Sequence, residues 1–143
     1  MSPIHHRLYK RAQAPSQDVT ENMALLLEQA ALHMNYAKEA IDRRDVEERF
    51  NQTQKASFIM SGLKAALVRD TPSISRTASA LEAFYSDVET LIMRVNIFNN
   101  ADAAKAVATS LIDVARQWRH IGAHQRATMQ PVEVPMPLEG ARA

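Results

Sequence analysis

His120 and His124 stand one helical turn apart, and imidazoles at that spacing share a helix face on which one zinc or nickel ion can sit. A metal centre needs more ligands than two. Gly122 lies between these histidines, and no carboxylate or third histidine is close in sequence. A di-iron centre inside a helical bundle requires paired Glu-x-x-His motifs, and this sequence has none; Glu28 and His33 are five residues apart and fall on different faces. Acid–base chemistry needs carboxylates on an apolar face, where burial raises their pKa. Glu28, Glu39, Glu47, Glu48, Glu82 and Asp87 all fall outside the apolar stripes and read as solvated surface. Ser57, Ser79 and Ser110 have no activating His or Asp that the sequence reveals. Phosphate-cradling loops need clustered glycine, and there are 3 glycines, none of them paired. With 0 cysteines, thiolate chemistry and disulfides are excluded. The expectation is a protein with no catalytic residues, no metal and no cofactor: not an enzyme.

The elements that would position any site are helical. From Asp18, apolar residues recur three and four apart at Met23, Leu26, Leu27, Ala30, Met34, Ala37 and Ile41, which predicts a long helix ending near Arg43. Ser16 or Asp18 can cap its start. Asp45 with Glu48 has the spacing of a capping box, opening a second helix with a stripe of Val46, Phe50, Thr53, Ser57, Met60, Leu63 and Leu67. Thr71-Pro72-Ser73 breaks the pattern. A third helix then carries Ala78, Leu81, Phe84, Tyr85, Val88, Leu91, Ile92 and Val95. Asn96, Asn99 and Asn100 suit its end, because Asn tolerates the left-handed conformation and can cap the next helix. Asp102 favours the first turn of a fourth helix, striped by Val107, Leu111, Val114, Trp118 and Ile121, with Gly122 marking its end.

Short connections between four long helices force antiparallel neighbours. The predicted fold is all-α, an antiparallel up-down four-helix bundle with a short N-terminal helical segment. Residues 1–15 form that cap segment, 16–126 the bundle, and 127–143 a flexible tail punctuated by Pro131, Pro135 and Pro137. The 143 residues suffice for one core without staples. Lys and Arg number 17 against 16 Asp and Glu, a net charge of +1 that argues against a dedicated nucleic-acid binder. No apolar run reaches the ~18 residues of a membrane span, and no signal-peptide core is visible, so a cytoplasmic location is expected.

Apolar surplus remains. Phe58–Ile59, Phe84–Tyr85 and Leu91–Ile92 are doublets that widen the apolar face beyond one bundle seam. Such width serves either a broad core stripe or a groove for an amphipathic partner helix, where Met and aromatics are favoured.

The order of several short patterns resembles the flagellin-specific export chaperones, the FliS family. They run from Leu8-Tyr9-Lys10 through Met23-Ala24-Leu25-Leu26-Leu27 and Ala37-Lys38-Glu39-Ala40-Ile41, with an acidic turn at Asp42 and Asp45. Lys55-Ala56 with Ile59, Phe84-Tyr85, Asn96-Ile97-Phe98-Asn99 and a late Trp118 continue the series. Leu27 stands where the family usually has an aromatic residue, and Ser86–Thr90 replaces a Tyr- and Arg-rich stretch. The resemblance implies a cytosolic helical bundle that binds the C-terminal segment of flagellin, prevents its premature polymerisation and delivers it to the flagellar export apparatus. It implies an N-terminal segment that covers part of the binding groove. Ile4, Leu8, Tyr9, Leu27, Phe58, Ile59, Tyr85 and Ile97 are the expected partner-binding residues. An adaptor gripping an unrelated amphipathic helix is the alternative, and an enzyme or metal protein on a bundle is a further rival.

Overall fold

The computed structural model describes residues 19–67 and 72–133, with side chains over 19–67 and 75–127. The expected N-terminal helical segment, and with it Ile4, Leu8 and Tyr9, lies outside the described residues. The described chain forms four helices in order: α1 Val19–Asp42, α2 Val46–Ala65, α3 Pro72–Phe98 and α4 Ala101–Glu133. No strand occurs among the described residues.

By compactness the chain divides into Leu26–Asp113 and a smaller unit drawn from both ends. All four helices contribute to the larger unit, which is an all-α four-helix bundle. Its core is built from Leu27, Met34, Thr53, Met60, Tyr85, Ile92, Val95 and Leu111, with small Ala30, Ala37, Ala56, Ala104 and Ala108 allowing close approach. The three-residue connection after α1, Arg43 to Asp45, reverses the chain direction. Cross-helix bonds set the register of α2 against α3. Near the start of α2, the Arg49 guanidinium donates from Nε to Asn96 Oδ1 (3.1 Å) and from Nη1 to Asn99 Oδ1 at the end of α3. Toward the end of α2, Lys64 Nζ donates to Glu89 Oε1 (2.6 Å) and Ser61 Oγ to Glu89 Oε2 (2.7 Å). The pair is antiparallel.

Both ends of the α1–α2 turn are chemically explicit. Asp45 is the N-cap of α2 and accepts the Glu48 backbone N–H at 3.0 Å. The reciprocal half of a capping box is not made: Glu48 Oε2 instead accepts from Gln52 Nε2 (2.7 Å), and the Asp45 N–H closes onto Ala40 O (2.8 Å). That last bond, with Arg44 N–H to Ile41 O (3.0 Å), is a Schellman motif with Arg44 in the left-handed region at φ 60°. Asn99 adopts φ 51° after α3, and Asn100 Oδ1 caps the Ala103 N–H at 3.0 Å, as the asparagine cluster predicts.

Two sequence expectations need correction. The stripe of α2 is rotated: Gln52, Thr53, Ala56, Ile59, Met60 and Leu63 are buried, while Val46 and Phe50 face outward. Polar Gln52 is held inside by a relay in which Gln29 Nε2 donates to His33 Nε2 (3.3 Å) and His33 Nδ1 donates to Gln52 Oε1 (2.7 Å). Nor does Gly122 end α4, which runs to Glu133. In the smaller unit Gly122 is buried, and a Cβ built there would overlap the Thr20 hydroxyl and lie 3.1 Å from Thr20 Cβ. Its job is close approach of two helices, not termination. One turn earlier Arg119 holds Glu21 bidentately, Nε to Oε1 at 3.0 Å and Nη2 to Oε2 at 2.9 Å.

Candidate functional site

Of the expected partner-binding residues in the described region, Leu27, Ile59 and Tyr85 are core, whereas Phe58 and Ile97 are 49% and 62% exposed. For Ile59 and Tyr85 this is what the doublets mean: the second member packs inside, while Phe58 turns outward and Phe84 is half-buried. Only Phe58 and Ile97 of this set offer side-chain surface to a partner in this conformation.

The geometry of the α2–α3 seam adds residues that the sequence stripes misplace. Arg49–Asn96 and Lys64–Glu89 fasten the two helices at points about four turns apart on α2 and about two turns apart on α3, the long Arg and Lys side chains spanning the difference. Near the Arg49–Asn96 end, Val46 and Phe50 of α2 and Met93 and Ile97 of α3 are exposed. Phe50 and Ile97 occupy matching heights in the antiparallel register. Met93 and Ile97 are four apart on one face of α3, as are Val46 and Phe50 on α2. The result is an exposed apolar patch around the Arg49–Asn96 bridge. Met93 is the adaptable element, since an unbranched thioether reshapes to many contacts.

Electrostatics favour the closed Lys64–Glu89 bridge. Burial pushes the Glu89 carboxyl up, but the hydrogen bonds from Lys64 and Ser61 and the Lys64 charge outweigh it and hold Glu89 below its ordinary value. Lys38 of α1 is raised by its hydrogen bond and charge pairing with Asp42 (2.8 Å), and it also feels Asp102 at the start of α4.

A second exposed apolar pair, Leu32 and Tyr36, lies four residues apart on one face of α1. Among the described residues no group of three or more His, Cys, Asp or Glu could hold a metal ion, and His120 and His124 project outward from α4. No helix is long and apolar enough to cross a membrane among the described residues.

The arrangement is an apolar seam on a helical bundle, suited to burying the apolar face of a partner segment. In comparison with known protein families, the family described as "Flagellar protein FliS" matches residues 1–125 of the 143. No curated protein proved similar to the chain.

Proposed function

The chain belongs to the FliS family of flagellar proteins, and from that premise we propose that it is a cytoplasmic chaperone of flagellin. It binds the C-terminal segment of flagellin, keeps it from polymerising prematurely and hands it to the flagellar export apparatus. The observation that supports this reading is the exposed α2–α3 seam of Val46, Phe50, Met93 and Ile97, with Phe58 nearby on α2.

Magnitudes indicate how the segment must bind. Complete burial of a large apolar side chain contributes about 1.5–3 kcal/mol, and each of these is already about half covered, so each adds about 1 kcal/mol. Four of them together roughly match the ~2–5 kcal/mol that ordering a disordered segment costs. The seam alone therefore gives weak binding, and a useful complex needs a segment long enough to reach further apolar surface. Ile4, Leu8 and Tyr9 of the N-terminal segment belong to that further surface in this reading, as a short amphipathic piece that the partner displaces or joins.

Co-purification with flagellin tests the proposal. Full-length flagellin should be retained, and flagellin lacking its C-terminal segment should be lost. Equal retention of both would overturn the reading.

A further inference from the structure

A second feature of the bundle offers specific chemistry. At the end where α1 turns into α2, a half-open cleft of about 360 Å³ is lined by Ala40, Ile41, Arg44, Asp45, Val46 and Asn99. That volume lies at the lower end of ligand sites, roughly 300–1,000 Å³. It suits one or two residues of a chain.

Three polar side chains line it: Arg44 and Asn99, which can donate, and the Asp45 carboxylate, which is already engaged. Asp45 has its carboxylate committed, Oδ1 to the Glu48 N–H and Oδ2 facing Arg43 Nε at 3.8 Å. Asn99 has its Oδ1 engaged by Arg49, which leaves its amide N–H groups as what it can offer. Arg44 lines the cleft, and its side chain has no hydrogen-bond or ion-pair partner among the described residues, so its five guanidinium N–H donors are uncommitted. Ala40, Ile41 and Val46 supply an apolar wall.

Arg44 is also the residue least suited to its backbone. It sits at φ 60° in a Schellman turn that ordinarily selects Gly or Asn. A side chain held in that conformation despite its strain points to use outside folding.

We propose that this cleft takes the C-terminal residue of a bound chain, its α-carboxylate on Arg44 and Asn99 and its apolar side chain against Ala40, Ile41 and Val46. A C-terminal apolar residue carries both features on one Cα, which matches donors and apolar wall side by side. An internal Asp or Glu would meet the donors and leave the wall unfilled. The proposal rests on the flagellin reading for the identity of the chain, in which flagellin's own last residue is the anchor. It does not rest on that reading for the chemistry of the cleft.

The test has two arms. In the first, the ¹⁵N-labelled full chain is titrated with acetyl-leucyl-leucine, as free acid and as C-terminal amide. The acid should shift the backbone signals of Arg44, Asp45, Val46 and Asn99, and the amide should not. In the second, a flagellin C-terminal peptide in both forms is titrated calorimetrically against wild type and Arg44→Asn, a variant whose backbone suits the turn. The acid should bind wild type roughly tenfold more tightly, the scale of a lost hydrogen bond to a charged group. In the variant that ratio should fall to about one. Equal binding of acid and amide by wild type would overturn the cleft while sparing the flagellin reading. Binding of neither flagellin peptide would overturn the flagellin reading, and the dipeptide arm would still decide the cleft.

Discussion

Replacing Gly122 with Ala is the substitution on which fold and packing arguments disagree most openly. In a helix interior, Gly→Ala ordinarily stabilises by about 0.8–1 kcal/mol, because Gly loses more backbone freedom on folding. Gly62 supplies the control: it is exposed on α2, with nothing within 4 Å of a Cβ built there. Gly62→Ala should therefore stabilise by up to about 1 kcal/mol. At Gly122 the added methyl overlaps the hydroxyl of Thr20 and comes within 3.1 Å of its Cβ and 3.4 Å of Arg126 Nη1. The Arg126 tip can swing aside. Thr20 cannot, because it is buried and branched at Cβ, so rotation only exchanges the hydroxyl for a methyl. Overpacking of this kind costs typically about 1–3 kcal/mol. Set against the helix gain, the net effect should be a loss of about 1 kcal/mol. Urea unfolding of both variants beside wild type gives the comparison, with the midpoints moving in opposite directions at unchanged slope. A Gly122→Ala protein stabilised as much as Gly62→Ala would refute the close-approach argument. So would the failure of Thr20→Ala to restore stability to Gly122→Ala.

Three further outcomes are expected. Ile97→Ser and Phe50→Ser should change stability by no more than about 0.5 kcal/mol, being outward-facing, yet each should weaken binding of a flagellin C-terminal peptide several-fold by calorimetry. Asp45→Ala removes the N-cap of α2 and should lower stability by about 1 kcal/mol in chemical denaturation. Glu89, held below its ordinary value of 4.5, stabilises the fold above that pH and loses its contribution as pH falls through the depressed folded value. Glu89→Gln should flatten the decline in stability below about pH 4.5, and an unchanged acid limb would show that the Lys64 bridge contributes nothing.

The helix order and most boundaries were legible because caps and breakers are local chemistry. Asp45, Asn99, Asn100 and the Pro72 region act through their own backbone neighbours, and a sequence displays neighbours directly. The face of α2 was not legible. Val46, Phe50 and Phe58 compete there with Ala56, Ile59 and Leu63, so apolar residues circle the helix. What selects the inward side is a distant polar relay through His33 to Gln52. Gly122 misled for a related reason: glycine at a helix end and glycine at a helix crossing look alike until the facing Thr20 is known. The exposed seam was legible only in part. Phe58 and Ile97 were reachable from the doublets and the family resemblance, but Phe50 and Met93 depend on the α2–α3 register, which long-range bridges set. Arg44 in its left-handed turn carried no sequence signal, since the residue types that announce such a turn are Gly and Asn.

That turn also bears on how the protein can be engineered. A left-handed conformation costs an ordinary L-residue about 1–2 kcal/mol, most of which Gly avoids. At φ 60°, Arg44 therefore leaves the α1–α2 corner short of the stability its own backbone would allow. A designer ranking substitutions by thermostability alone would place Gly or Asn at position 44 early, and the fold would accept either. The hardened protein would then carry a corner with no free guanidinium. Thermal selection without a binding screen would favour the loss of that group, so residue 44 is one to hold fixed in any stabilisation library.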